Sequence, residues 1–302
     1  MAAQKPSGLG PEFTYDLSPL RKVDAALIHY AEAARVETGM ESPRGIALAP
    51  GGRIVVAGDK AVRTFEADGK PRSEFTTEAE PHAVAVDAGG AVYVAMKDHI
   101  EVFDAAGKRR AAWGSAGPKS YLTGIAVGES DVFAADAGGR IVLRYDVAGQ
   151  LVRRIGEKDD ATQAPGFIIP SPYFDVALGR EGMLWVANPG MRRVECYTYE
   201  GDFRFAWGKA SMKIEGFCGC CNPTHFTILA DGRFVTSEKG LPRVKVYGPE
   251  GEFQDVVAAP ADFAEGTVGL DLAADAEGRI LVLDPHRRQV RIFVHKKAEP
   301  KP

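Results

Sequence analysis

No apolar run in this 302-residue chain approaches the roughly 18 residues that a membrane-crossing helix needs, so no helical span is expected. Basic charge is not in excess either. Lys and Arg number 37 against 41 Asp and Glu, a formal net charge of -4, which leaves no field suited to a nucleic-acid backbone. Cysteine is scarce: there are four, and Cys218, Cys220 and Cys221 are crowded together, so the chain lacks the spread pairs of a disulfide framework. Also missing are a G-x-S-x-G elbow, a P-loop and a dinucleotide fingerprint, which removes the sequence basis for serine-hydrolase, kinase and ordinary dehydrogenase readings.

Residues 1–13, MAAQKPSGLGPEF, lack the apolar centre of a signal peptide. They are rich in Gly and Pro and read as an expression remnant standing where a leader was removed. The expected compartment is therefore periplasmic or otherwise extracytoplasmic, with a cytoplasmic location left open.

What the chain does have is a sentence repeated six times, with a period of about 40 to 50 residues. Apolar first strands align as Arg44-Gly45-Ile46, His82-Ala83-Val84, Thr123-Gly124-Ile125, Phe174-Asp175-Val176, His225-Phe226-Thr227 and Leu270-Asp271-Leu272. Third strands carry an aromatic at Phe65, Phe103, Tyr145, Tyr197, Tyr247 and Phe293. In the first five units a glycine follows four residues later, at Gly69, Gly107, Gly149, Gly201 and Gly251, where a hairpin turn needs positive φ. Four short antiparallel strands per unit make the blade of an all-β, six-bladed β-propeller.

The sixth unit stops after its third strand at Phe293-Val294-His295, so the stretch Ala26–Thr38 is expected to supply the missing outer strand and close the ring. The domain reading is an N-terminal tail over 1–25, one propeller over 26–295 with blades starting near 44, 82, 123, 174, 225 and 270, and a disordered tail over 296–302.

Segments such as Val132–Ile141, VFAADAGGRI, and Ile280–Asp284, ILVLD, resemble NHL repeats, and the resemblance covers about residues 40–295. It implies a six-bladed ring. The phrases GFCGCCNPTH, IIPSPYFD, ANPGMRR and VTSEKGLPRVKVY further resemble a branch of bacterial NHL proteins that are often exported. Function does not follow from the fold, because the family hosts scaffolds, binding modules and the peptidyl-hydroxyglycine amidating lyase alike. The lyase resemblance implies channel histidines holding zinc, and here only His82 and His225 match such positions.

The sharpest chemistry lies in the loop before the fifth blade. Cys218, Cys220, Cys221 and His225 place three thiols and an imidazole within eight residues, a soft donor set suited to Cu(I) or Zn. The alternatives are a Cys220–Cys221 disulfide with no metal, or inert thiols. The alignment puts His82 and His225 at one register on opposite blades, so both are expected at the channel mouth, with His82 as a further candidate ligand.

Copper is the expected cofactor, zinc the alternative, and metal handling or electron transfer the expected function. A recognition scaffold with a disulfide-stiffened loop, or a channel-mouth lyase or hydrolase, are the other readings. Arg44, Tyr173, Asn188, Arg192, Glu238 and Lys239 are weaker candidates for contacts to a ligand on the same face, where a small molecule, a metal ion or a protein is the expected partner. The inner ring is otherwise not acidic apart from Asp175 and Asp271, which argues against a channel calcium site of the sugar-lactone hydrolase kind.

Overall fold

The computed structural model describes residues 18–158, 166–180 and 182–296. Six antiparallel four-stranded sheets follow one another around a ring. Their innermost strands are Pro43–Ala49, Ala83–Val86, Leu122–Val127, Val176–Leu178, His225–Ile228 and Asp271–Ala274. Each of these touches its two ring neighbours, and the sixth touches the first. The protein is a six-bladed β-propeller.

Local sequence accounts for the blade. The third-strand aromatics pair across the second strand at Ile54, Val92, Val132, Leu184, Phe234 and Ile280, apolar in every blade. The five following glycines all have φ between 81° and 91°, a left-handed turn that a Cβ would strain. Six apolar clusters result, each shared by two adjacent blades, so no blade has a core of its own.

The ring closes where the sequence places the closure. Tyr30–Glu37 runs antiparallel to Gln289–His295 as the outer strand of the sixth blade, inside the expected stretch Ala26–Thr38. The segment before it forms only short 3-10 turns, at Ser18–Arg21 and Ala25–Leu27. Residues 1–17 and 297–302, on which the expected tails largely fall, lie outside the described residues.

Closure carries energy because two side chains of this strand enter the core. Val36 packs between the sixth and first blades and Tyr30 between the fifth and sixth, each almost wholly buried. Placing a carboxylate at Val36 leaves a buried charge without a partner and opens the last strand's edge. Val36→Asp is expected to cost about 3 kcal/mol or more, read as a lower midpoint in denaturant titration, while Glu37→Gln at the exposed neighbour should shift it by less than about 0.5 kcal/mol.

Candidate functional site at the channel mouth

The pairing ladder sets which side chains face the channel. In every blade the residue three before the one paired, through the second strand, to the third-strand aromatic is a ring position: Gly45, Ala83, Gly124, Asp175, His225 and Asp271. The sequence alignment is therefore one residue out in the fifth blade. Thr224, not His225, is the counterpart of Arg44, His82, Thr123, Phe174 and Leu270. A one-residue slip moves a strand's side chains to the other face. His225 thus stands level with Asp175 and Asp271 on the two flanking blades, and His82 does not share its register.

That placement gives the channel a polar half and an empty half. On three successive blades the ring carries Asp175, His225 and Asp271; on the other three it carries Gly45, Ala83 and Gly124. Gly124 is required where it stands, since a Cβ there would lie 2.6 Å from Asp175 Oδ1. A cavity of about 330 Å³ inside the ring is lined by Ala83, Gly124, Asp175, His225 and Asp271 among others, and a second, of about 320 Å³, opens at the mouth. Thr123 and His225 line both. Pro285, from a turn between second and third strands, also lines the mouth, as expected for alternating connections.

Both carboxylates are anchored before they meet the histidine. Asp175 accepts the N–H groups of Val176 at 2.9 Å and of Phe226, on the next blade, at 3.0 Å. Asp271 accepts those of Leu272 and of Ile46, on the first blade, each at 2.8 Å. His225 Nδ1 then lies 3.7 Å from Asp175 Oδ2 and 3.5 Å from Asp271 Oδ1. Burial alone would lower the histidine's pKa, but the two carboxylates outweigh it and the net shift is upward. Burial pushes Asp271 up to about 6, against the opposing pull of His225.

The sequence alignment shows Asp175 and Asp271 only as the two acids of an otherwise non-acidic inner ring and does not group them with His225. Their signal was present: Asp175, His225 and Asp271 each stand nine residues before the second-strand partner of the aromatic, at Leu184, Phe234 and Ile280.

The mouth itself gathers Arg44, His82, Tyr121, Thr123, Tyr173 and His225. His82 Nδ1 is 2.9 Å from the carbonyl oxygen of Leu122, which can only accept, so Nδ1 carries the hydrogen and Nε2 is left as an acceptor. Burial lowers its pKa and holds the ring neutral. Arg44 is paired at 2.8 Å with exposed Glu80, and the Tyr173 ring meets that of His225 edge-on at 5.9 Å. Burial raises the Tyr173 phenol.

Other sequence candidates sit elsewhere. Asn188 is fully buried; its side chain donates to Glu195 at 2.8 Å and accepts the Ile168 N–H at 3.1 Å, fastening the loop before the fourth blade. Arg192 closes a 3-10 turn in the left-handed region at φ 56°. Lys239 lies behind the pocket wall, with Nζ 3.0 Å from Ser171 Oγ and 4.9 Å from the Tyr173 ring centre.

Glu238 is taken up by the cysteine loop. It accepts two bonds from Arg243, at 2.7 and 3.0 Å, pairs with Lys245 at 2.8 Å, and accepts the Cys218 N–H at 2.9 Å. Arg243 and Lys245 in turn donate to the Gly216 carbonyl. The loop is thus tied to its blade by buried charge.

The thiols do not converge with either histidine. Cys220 and Cys221 Sγ are 3.1 Å apart and unbonded, while Cys218 Sγ lies 3.3 Å from Met212 Sδ. Among the described residues, the group of three or more His, Cys, Asp or Glu donors lying within 4.8 Å of one another is Asp175, His225 and Asp271. The expected set of Cys218, Cys220, Cys221 and His225, with His82, is therefore not assembled. The cause is local: Glu238 holds the Cys218 backbone, Asn222 bonds the Cys218 carbonyl, and His225 belongs to a strand turned toward the channel. Burial opposes ionisation of Cys221, but hydrogen bonds from Cys220, Ser171 and Lys239 bring its pKa below the ordinary thiol value. Cys196 is buried in the core between the fourth and fifth blades, where burial raises its pKa to about 11.

Removing Glu238 would strand two buried cations. Glu238→Ala is expected to cost about 3 to 5 kcal/mol and to lower Tm by roughly 10 °C, measured by calorimetry. Exposed Glu80→Ala should leave Tm within about 2 °C.

No family model matches the chain, and no curated protein matches it by sequence. By shape it is similar to solved propellers. Selenomethionine-substituted virginiamycin B lyase from Staphylococcus aureus superposes with a TM-score of 0.59 at 13% identity, over 88% of this chain and 99% of that one. A streptogramin B lyase gives 0.62 at 12% identity, over 90% and 99%. The WD40 β-propeller domain of Doa1 gives 0.60 at 12% identity, over 85% and 80%. Likeness at such identities establishes the propeller fold, and the NHL resemblance remains one of repeat motif.

Proposed function

We propose that the channel mouth binds a small molecule bearing an anionic or carbonyl oxygen and acts on it as a lyase or hydrolase. The observation that supports this most is the convergence of Arg44, His82, Tyr173 and His225 on one cavity of about 320 Å³, a few polar groups in a concave site with an aromatic wall. Arg44 supplies a fork of donors for the oxygen. His82, neutral and hydrogen-bonded through Nδ1, offers Nε2 as proton acceptor, and its bond to Leu122 fixes that tautomer. Tyr173 and Tyr121 supply flat apolar surface.

Two of the structurally similar propellers are lyases named for streptogramin-type compounds, and the virginiamycin B lyase was also solved, as an inactive variant, with quinupristin. Quinupristin and a panel of small esters and lactones are therefore the substrates to try. Turnover is expected with at least one, falling about 100-fold or more in His82→Gln and by about 10-fold in Arg44→Ala. Binders or turnover indifferent to both changes would place the chemistry elsewhere and contradict this reading.

A second reading keeps a soft metal, copper before zinc, on the cysteine loop. The close Cys220–Cys221 pair and the Cys218–Met212 sulfur contact favour it, without His82 or His225 as ligands. Metal handling or electron transfer would be its role. Protein purified without added metal should then carry copper that Cys220→Ser removes while the ring still melts as one unit. Copper content unchanged by Cys220→Ser would count against it.

A further inference from the structure

We propose that Asp175 Oδ2, His225 Nδ1 and Asp271 Oδ1 form a three-ligand site for a divalent cation of zinc type, in the cavity inside the ring, where His225 also borders the mouth.

The first support is register. These side chains come from the same ring position of three consecutive blades, so all three project into the channel together. The second is the setting of the imidazole. Its side chain is only 9% exposed, yet its Nδ1 stands 3.5 and 3.7 Å from the two carboxylate oxygens, outside the range of a good N–H···O bond. Two buried carboxylates facing one imidazole leave a net negative charge in the channel even when that ring is protonated, which a divalent cation would offset.

The third support is size. A cation about 2.1 Å from each donor separates its ligands by about 3.4 Å in a tetrahedral set and about 3.0 Å at right angles in an octahedral one. The two distances from His225, 3.5 and 3.7 Å, are near the tetrahedral value, all three ligand atoms lie within 4.8 Å of one another, and one imidazole with two carboxylates is a donor set that zinc accepts. Orientation is provided in advance, because each carboxylate is already held by two backbone N–H groups.

The cavity of about 330 Å³ that all three residues line leaves room for a water or ligand oxygen in the fourth position. Bound there, the ion would polarise that oxygen as a Lewis acid. This use of the ion rests on the mouth being a ligand site; its binding does not.

The cysteine loop would confound a zinc titration, so the test uses the full chain carrying Cys218→Ser, Cys220→Ser and Cys221→Ser, stripped with EDTA. Isothermal titration with zinc chloride is expected to give one equivalent bound, with a matching rise in Tm. Cobalt chloride should give a tetrahedral visible spectrum free of thiolate charge transfer. His225→Gln and Asp271→Asn, made separately in that background, should each weaken zinc at least 10-fold, and circular dichroism would verify that each variant folds. Absence of zinc binding in the chain lacking the three loop cysteines, or equal affinity in folded His225→Gln, would overturn the proposal. Ligand binding at the mouth that depends on Arg44 but not on zinc would overturn only this inference and leave the proposed function standing.

Discussion

Side-chain clasps between successive inner strands are the constraint on which the channel depends. Neighbouring blades of a propeller pack face to face and do not share a ladder, so the innermost edges present backbone groups that water or side chains must satisfy. Here the chain uses its own side chains. His82 reaches Leu122 O, Thr123 Oγ1 donates to Phe174 O at 2.7 Å, and Ser237 Oγ donates to Leu270 O at 2.6 Å. Asp175 accepts Phe226 N–H and Asp271 accepts Ile46 N–H, which joins the last blade to the first. Each bond contributes modestly, about 0.5 to 3 kcal/mol, beside the apolar clusters between blades. Their larger effect is angular, since they fix where each inner strand points.

The groups that clasp the ring also line its channel and mouth. Asp175 and Asp271 hold backbone N–H groups and, from the same positions, flank His225. His82 holds a carbonyl through one nitrogen and presents the other. The pKa values of the two histidines are shifted in opposite directions by what surrounds them: burial lowers His82, and two carboxylates raise His225 despite its burial. The channel is accordingly asymmetric, with Asp, His and Asp on three consecutive blades and only Gly or Ala on the other three.

Much of the architecture was legible because repetition averages out local ambiguity. Third-strand aromatics, turn glycines and the missing outer strand of the sixth blade all follow from six copies of one pattern. The site was harder, for two physical reasons. The innermost strands are short and Phe226 is as apolar as its neighbours, so hydrophobicity alone does not fix the register of the fifth blade; the ladder from Phe234 to Tyr247 does. The thiols of Cys218, Cys220 and Cys221 were legible as chemistry, but their placement is decided by Glu238, Arg243, Lys245 and Asn222, partners up to 27 residues away in sequence.

The central claim is that Asp175, His225 and Asp271 converge on one point in the channel. Anomalous diffraction from crystals of the cysteine-to-serine chain soaked in zinc, collected on both sides of the zinc absorption edge, tests it most directly. The account predicts a single strong peak bounded by those three side chains. A channel with no peak and His225 turned away from both carboxylates would contradict it.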